Sequence, residues 1–573
     1  MMRNIDWRDW TDSAFDESRA TGKPILLSIS AVWCHWCHIM DDKTYSDPQV
    51  VENINDNFIP IRVDADRNPD INSRYNMGGW PSTVFLTSDC DVLTGSTYVP
   101  PDQMLLVLDR ISSAYSEQKE ELIEKAKQAR AETEQSLSAT RGSVSRLDDV
   151  NRVLETVRSS YDEEFGGFGI AQKFPHPSAL ELLLFSYEQT GNDADLAMVV
   201  DTLNAMIDGE IFDPIQGGMF RYATQRDWSA PHYEKLLEDN ARMASVMLDA
   251  YRITRDQDFL DTARDIFFYI ENNLIQEQTG AFYGSQDADE EYYSQDEEGR
   301  KNMNPPRIDN AIYTDSNCIL ARTYLKLYGI GRDLAAREQA LRIVGYFNSL
   351  QRTKDGAIPH YMEDGKPHGY GHLLDMAALV FANVLCSEAT GDTAYIQAAK
   401  ELLESIFSAF GADNGAFYDI SVNRARERGL TRYNTPLREN SMLAMAFVKL
   451  ADLTEDEAYR LSAKNVLDAM AGQYGNYGIM AADYALAVAA LNVEPLLVTV
   501  HADAGTEEAD AFIQSTIGNC GINCTVRTVE QEEGEEPAAS ICLGAVCRTR
   551  VTDPDELEGE LNGVITERSA ITP

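Results

Sequence analysis

The sequence predicts a multidomain chain, α/β at its two ends and all-α between, and three observations carry that prediction. Near the N-terminus, apolar runs of strand length alternate with helical patterns. From residue 147 strand signals vanish for more than three hundred residues, replaced by about twelve amphipathic segments at helical spacing. Past residue 493 short strand-like runs return. At 573 residues the chain also exceeds one ordinary domain. The expected boundaries are an α/β domain over 1–115, a helical linker over 116–146, a helical domain over 147–493 and a small α/β module over 494–573.

In the first domain, residues 24–32 read as a strand and 34–45 as the helix that follows. Asp47-Pro48 supplies a cap and first-turn proline for a second short helix over 50–57. Residues 58–64 form a second strand, and Gly78-Gly79 a turn leading through Pro81 into a third strand ending near Leu86. One long charged helix is expected over 103–135. Residues 136–146, rich in Ser, Thr and Gly, then mark a boundary.

Between the first strand and its helix stands Cys34-His35-Trp36-Cys37. A CxxC at that junction is the arrangement thiol–disulfide exchange needs. Cys34 then sits at a helix N-terminus, where unpaired N–H groups favour thiolate over thiol, and its sulfur is expected to be exposed. Cys37, one turn on, resolves the mixed disulfide. Trp33, His35, Trp36 and His38 would shape potential and access, a protonated histidine making the pair more oxidising. Pro81 is expected to face the disulfide behind a cis bond, its missing N–H leaving a backbone edge for substrate. Three other readings stay open. Cys34, Cys37 and His38 also spell C-x-x-C-H, the haem attachment motif, which demands export. Zinc on Cys34, Cys37, His35 and His38 is another, although neighbouring Cys-His pairs on one helical turn diverge. Buried, inert cysteines are the third. Redox chemistry is the reading adopted.

The strings Trp33-Cys34-His35-Trp36-Cys37-His38-Ile39-Met40, Arg62-Val63-Asp64, Asn68-Pro69-Asp70-Ile71, Gly79-Trp80-Pro81-Ser82-Thr83-Val84-Phe85-Leu86-Thr87 and Gly95-Ser96-Thr97-Tyr98-Val99-Pro100 resemble the spermatogenesis-associated, thioredoxin-like protein family. That resemblance implies a thioredoxin-like N-terminal domain joined to a six-hairpin α/α barrel similar to glycosidases and sugar epimerases. The chain departs from the family pattern in a shorter leader before Trp7 and in a stretch, 75–78, that lacks several residues. Both would trim the groove around the cysteines.

The formal net charge of −44 is spread along the whole sequence, and the positive residues are mostly Arg. It reads as a solvated acidic coat of halophilic type, suited to high salt, where screening removes self-repulsion. It argues against nucleic acid or an anionic membrane as partner, and no run of about 18 apolar residues is expected to span a membrane. Residues 1–20 are polar and acidic with no apolar core, so no signal peptide is expected and a cytoplasmic location is. Nine cysteines in that setting suit a reducing compartment. No Gly-rich nucleotide loop opens a helix after a strand, so NAD, FAD or ATP is not expected.

In the helical region a glycine–aromatic cluster recurs at Phe165-Gly166-Gly167-Phe168, Gly217-Gly218-Met219-Phe220, Gly280-Ala281-Phe282-Tyr283, Gly415-Ala416-Phe417-Tyr418 and Tyr474-Gly475-Asn476-Tyr477. Asp355-Gly356-Ala357-Ile358 is a weaker sixth. One helix pair per cluster predicts a closed (α/α)6 toroid, glycosidase- and epimerase-like by resemblance, whereas a tetratricopeptide solenoid repeats about every 34 residues. Turns at one end of such a ring surround a funnel suited to a ligand. The candidate ligand-binding residues are Arg221, Tyr222, Trp228, His232, Glu234, Asp239, Asp287, Asp289, His372 and Asp375. Carboxylate pairs or a His–carboxylate pair would serve acid–base work on a sugar, with Tyr222 and Trp228 stacking on its face. Thr314-Asp315-Ser316-Asn317-Cys318 departs from the family pattern, which places tryptophan and glycine beside this asparagine.

The C-terminal module reads as strands over 496–501, 524–529 and 539–543 with helices over 507–516 and 553–560. Cys520, Cys524, Cys542 and Cys547 read there as buried structural cysteines, with zinc or a second disulfide site as alternatives. The expected function is thiol–disulfide oxidoreduction by Cys34 and Cys37 without cofactor or metal. The partner is a protein disulfide substrate or a thiol reductant. The alternative is a carbohydrate-modifying or carbohydrate-binding barrel with a structural or regulatory thioredoxin-like domain.

Overall fold

The computed structural model describes residues 4–138, 144–430, 432–544 and 546–571. The chain divides into two compact units, Met1–Arg141 with Ile420–Tyr433, and Gly142–Asp419 with Asn434–Pro573.

The first unit runs α1 (Asp12–Thr21), β1 (Ile25–Ser30), α2 (His35–Lys43), α3 (Pro48–Asn57), β2 (Ile59–Asp64), α4 (Pro69–Tyr75), β3 (Ser82–Leu86), β4 (Val92–Ser96), α5 (Pro101–Glu117) and α6 (Lys119–Ser138). Its sheet has the order β2-β1-β3-β4, with β1 parallel to β2 and antiparallel to β3. β1 lies inside the sheet, and its first five residues are all buried. Helices on both faces allow that near-continuous apolar run in place of alternation. Asp47 caps α3 by accepting from Gln49 N and Val50 N, as its place before Pro48 implies. This is a thioredoxin-like fold.

Three features of this unit correct the sequence reading. The long helix expected over 103–135 is broken at Gln118 into α5 and α6. α6 belongs to the unit rather than to a linker: Arg130 donates to Asp91 at 2.9 Å. Residues 420–433, placed in the barrel by chain order, join this unit through buried charge. Arg428 Nε lies 3.0 Å from Asp70, Trp10 Nε1 donates to the Arg428 carbonyl at 3.1 Å, and Arg432 pairs with Asp91 at 2.6 Å.

The second unit contains α7 (Leu147–Ser160), α8 (Pro177–Thr190), α9 (Asp193–Asp208), α10 (Leu237–Thr254), α11 (Gln257–Asn273), the short α12 (Glu290–Tyr293) and α13 (Glu297–Lys301), α14 (Thr314–Ile330), α15 (Leu334–Ser349), α16 (Leu373–Thr390) and α17 (Thr393–Ala409). α18 (Val422–Glu427) belongs to the first unit, and α19 (Leu437–Thr454), α20 (Glu457–Met470) and α21 (Ala482–Asn492) complete the ring. Helices α8, α10, α14, α16, α19 and α21 pack each on the next, and α21 closes back on α8. α7, α9, α11, α15, α17 and α20 back them outside, so six hairpins form an (α/α)6 toroid. α16 is largely apolar and buried on all sides because neighbours surround it, with buried Asp375, Asn383 and Glu388 among the exceptions in polarity. By length and composition it is apolar enough to cross a membrane, a helix the sequence reading overlooked, and it is buried in the ring.

The glycine–aromatic turns are held by a recurrent side chain. Asn240, Asn317 and Asn440, each fourth in an inner helix, accept from the backbone N–H of Met219, Phe282 and Phe417 and donate to the same residues' carbonyls. Two turns also enclose a buried lysine: Lys173 pairs with Asp162 and Lys235 with Asp213, both at 2.7 Å. The strand-free expectation misses several two-residue strands at the turns, such as Tyr222–Ala223 with Pro231–His232 and Ile275–Gln276 with Ala281–Phe282, and the hairpin Pro359–Glu363 with Lys366–Tyr370. Its turn is Asp364-Gly365 at φ 51° and 72°, the left-handed pair a tight hairpin requires.

The C-terminal elements pack in the same unit as the toroid, not as a separate module. Their sheet has the order Cys524–Val529, Leu496–His501, Ala538–Leu543, Val546–Val551, covered by α22 (Glu507–Asn519) and α23 (Pro554–Ile571). Gly329 of α14 meets Gly518 of α22 backbone to backbone, where a Cβ on either would clash. Cys520 pairs with Cys524 and Cys542 with Cys547 as disulfides, the alternative left open for them; of the four read as buried structural cysteines, Cys524 and Cys542 are buried, Cys520 is half-buried and Cys547 is exposed.

Candidate functional site

β1 ends at Ser30, and a short turn carries the chain into α2 with Cys34 as its N-cap. The Cys37 N–H donates to Cys34 Sγ at 3.2 Å, and the His38 N–H reaches the Cys34 carbonyl at 3.2 Å. Cys34 and Cys37 form a disulfide. The sulfur at residue 34 is not exposed as expected: Cys34 is 4% and Cys37 3% accessible, while Trp36 stands out at 42%. Packing explains this, because Trp33 is itself buried, tied by Nε1 to Asp66 and stacked edge-on with Trp80 at 5.5 Å. Trp36 leans on Tyr98 at 5.2 Å, and His35 lies edge-on to Trp36. His38 is exposed, with Nε2 3.0 Å from the Val32 carbonyl; a carbonyl only accepts, so that nitrogen carries the proton. The Trp80–Pro81 peptide is cis. The loop before it is set by Asn76, which accepts from Gly78 N and Gly79 N, and by Ser82, which donates to the Gly79 carbonyl.

In the toroid, the inner helices' N-terminal turns bring candidate residues together. His360 Nδ1 lies 3.0 Å from both Asp375 oxygens, both residues are buried, and His372 packs 5.1 Å away ring to ring. Asp315 completes this group; one ligand atom from each of Asp315, His360 and Asp375 lies within 4.8 Å of the others, a spacing that also fits a divalent cation. Burial pushes the Asp375 carboxyl up to about 7 against the pull of His360. Burial likewise raises Asp315, and burial with the neighbouring Glu238 charge pushes Asp239 up to about 6. The Arg221 charge acts on Asp239, its guanidinium carbon lies 5.4 Å from the centre of the Tyr222 ring, and His232 Nδ1 is 3.6 Å from Glu234. Burial alone would raise Glu234, but His232 and Arg221 outweigh it and hold the carboxyl low.

Four of the expected residues do other work. Trp228 is fully buried, its Nε1 donating to the Phe165 carbonyl at 3.0 Å, so it is a core residue and not a stacking platform. A Cβ at Gly167 would come within 2.4 Å of its ring. Tyr222 is sandwiched between His232 at 4.5 Å and Phe174 at 4.6 Å, so neither ring face is left for a sugar. Phe174, at the end of that stack, is the exposed ring. Asp289 caps α12 by accepting from Tyr292 N, and Asp287 accepts from the adjacent Ala288 N–H.

Residues 1–134 match a thioredoxin DsbH family model described as "Protein of unknown function, DUF255". Spermatogenesis-associated protein 20 of Rattus norvegicus is 35% identical over 309 residues, which cover 50% of this chain and 39% of that protein. The chain is a relative of the spermatogenesis-associated, thioredoxin-like proteins. It spans about two fifths of the length of the curated relatives it matches. The thiol:disulfide interchange protein DsbD of Campylobacter jejuni is 27% identical over 92 residues, 16% of each chain. Among solved structures, a cellobiose 2-epimerase from Bacillus thermoamylovorans aligns with a TM-score of 0.47 at 16% identity, covering 57% of this chain and 87% of that one.

Sequence reasoning missed Asp315, Arg438 and Arg242 as members of the toroid site. Arg438 pairs with Glu238, and Arg242 pairs with Asp483 at 3.3 Å. The signal was present in position: Glu238, Asp315 and Arg438 each stand two residues before a clamping asparagine.

Proposed function

We propose that the first unit is a thiol–disulfide oxidoreductase acting through Cys34 and Cys37. The observation that carries this reading is a CxxC disulfide whose first cysteine is the N-cap of α2 and accepts the Cys37 N–H. In the reduced protein the Cys34 thiolate attacks a substrate disulfide, forming a mixed disulfide and releasing one substrate thiol. The Cys37 thiolate then attacks Cys34 Sγ, releasing the second thiol and leaving Cys34–Cys37 oxidised. Substrate gains two electrons and two protons, and an external dithiol restores the enzyme. Run backwards, the same steps oxidise a substrate dithiol. The helix N-terminus stabilises the thiolate in either direction. The partner is a protein disulfide or dithiol, reached past exposed Trp36. Reduction of insulin by dithiothreitol tests the reading: wild type accelerates precipitation of the insulin B chain, and Cys34→Ser does not.

A second reading concerns the toroid. The buried His360–Asp375 pair beside Asp315 supports acid–base chemistry on a sugar, with His360 moving the proton. Solvent deuterium incorporation into a panel of reducing sugars, lost in His360→Gln, tests it.

A further inference from the structure

The inner helices enclose a cavity of about 210 Å³ whose far wall is built from residues 517–526. Six basic and five acidic side chains line it, in a chain that carries 49 basic against 93 acidic residues. The cavity therefore reverses the charge balance of the whole molecule. Its basic residues are paired with one exception. Arg252 pairs with Glu188, Lys326 with Asp249, Lys449 with Glu388 at 3.0 Å and Arg242 with Asp483, and Arg438 meets Glu238. Arg322 has neither an ion pair nor a hydrogen bond among the described residues, and its Nε is buried without an acceptor. Its guanidinium carbon lies over the Phe381 ring, 4.2 Å from the ring centre, and that ring also lines the cavity. Glu181 also lines the lumen; it makes no ion pair among the described residues, takes a 3.4 Å contact from Ser245, and its charge acts on Arg322.

Enclosing an arginine that has no contacting carboxylate is costly, the Glu181 and Asp483 charges acting on it without an ion pair, and a guanidinium is not relieved by losing its proton. Burial pushes the Arg322 pKa down only to about 10, so the cation persists at neutral pH. Arg322 lines the cavity without an ion pair among the described residues, and a guanidinium has the planar donor set that receives two oxygens of one oxyanion. We propose that the toroid lumen binds a small organic anion bearing a carboxylate or phosphate, gripped by the Arg322 fork, with Phe381 beneath and Glu181 facing a ligand hydroxyl. Arg322 is the specificity-determining residue of this site, which is independent of the cysteine chemistry in the other unit.

The test is titration calorimetry on the full chain with inorganic phosphate, D-glucose 6-phosphate, D-gluconate and D-glucose. The expected result is saturable one-to-one binding of at least one anion, at least tenfold tighter than D-glucose. Preference for gluconate identifies a carboxylate site, and preference for phosphate or the sugar phosphate a phosphate site. Arg322→Gln should weaken that anion at least tenfold, and Arg322→Lys should recover part of the loss. Binding of neutral glucose as tight as any anion, or anion binding unchanged in Arg322→Gln, overturns the proposal. Crystals of the wild-type protein soaked in tungstate decide the matter without a variant. Anomalous density against the Arg322 guanidinium supports the site, and density confined to the outer surface overturns it.

Discussion

The backbone N–H of Cys37 points at Cys34 Sγ across 3.2 Å, so the first cysteine is both helix cap and redox partner. This places the charge-stabilising end of α2 on residue 34 and underlies the different roles proposed for the two sulfurs.

Those roles separate in variants. Cys37→Ser leaves the attacking sulfur and removes the resolving one. Incubated with a disulfide such as oxidised glutathione, that variant should accumulate a stable mixed disulfide at Cys34, read as a mass increase of one glutathionyl group. Cys34→Ser should accumulate at least tenfold less adduct at Cys37. Equal labelling of both variants would remove the assignment of roles.

Asn440 makes three hydrogen bonds in the fully buried interior, to Phe417 N, the Phe417 carbonyl and the Pro436 carbonyl. Replacing it with Ala orphans a turn and shortens the side chain, with an expected loss of about 2–4 kcal/mol. Urea unfolding of Asn440→Ala against wild type measures this. A loss below about 0.5 kcal/mol would mean that the turn holds without its clamp.

The Asp375 carboxyl is raised by burial to about 7 in the folded protein, from an ordinary value of 3.8. Between those values the native state binds the proton and the unfolded state does not. Stability contributed by this group is therefore present at low pH, falls as pH rises from about 4 to 7, and is flat above. Asp375→Asn keeps an acceptor for His360 and removes the titration. Relative to wild type, it should gain roughly 1–3 kcal/mol on moving from pH 4.5 to pH 8. Denaturant midpoints at the two pH values give the answer, and an unchanged difference would contradict it.

The fold was legible where local chemistry and tertiary packing agree. Asp47-Pro48 announces α3, the α7 bounds follow from helical spacing, and the apolar runs at 25–30 and 59–64 are strands. The glycine–aromatic repeats carry the six-hairpin count, since each turn must hold the chain between an outer and an inner helix. Residues 420–433 were misplaced because Arg428 and Arg432 find Asp70 and Asp91 about 350 positions away, a pairing invisible to local pattern. Trp228 was misread because an aromatic among polar neighbours resembles a surface residue. Only the burial beneath Phe165 and Gly167 reveals it as core. Arg322 could not be singled out among the chain's arginines, because what distinguishes it is the absence, among the described residues, of an ion pair or hydrogen bond in three dimensions. The hairpin at 359–370 had its signal in Asp364-Gly365 and was passed over for the helical pattern around it.

The central claim is that the Cys34–Cys37 pair exchanges electrons with thiols in the folded protein despite being almost closed to solvent. The direct measurement is a redox titration of the native chain in glutathione buffers, quenched by alkylation and read by peptide mass spectrometry at both residues. The account predicts a reversible two-electron transition, with both cysteines alkylated together under reducing buffer and both protected under oxidising buffer. Cysteines that stay protected at every ratio until the protein unfolds would contradict it.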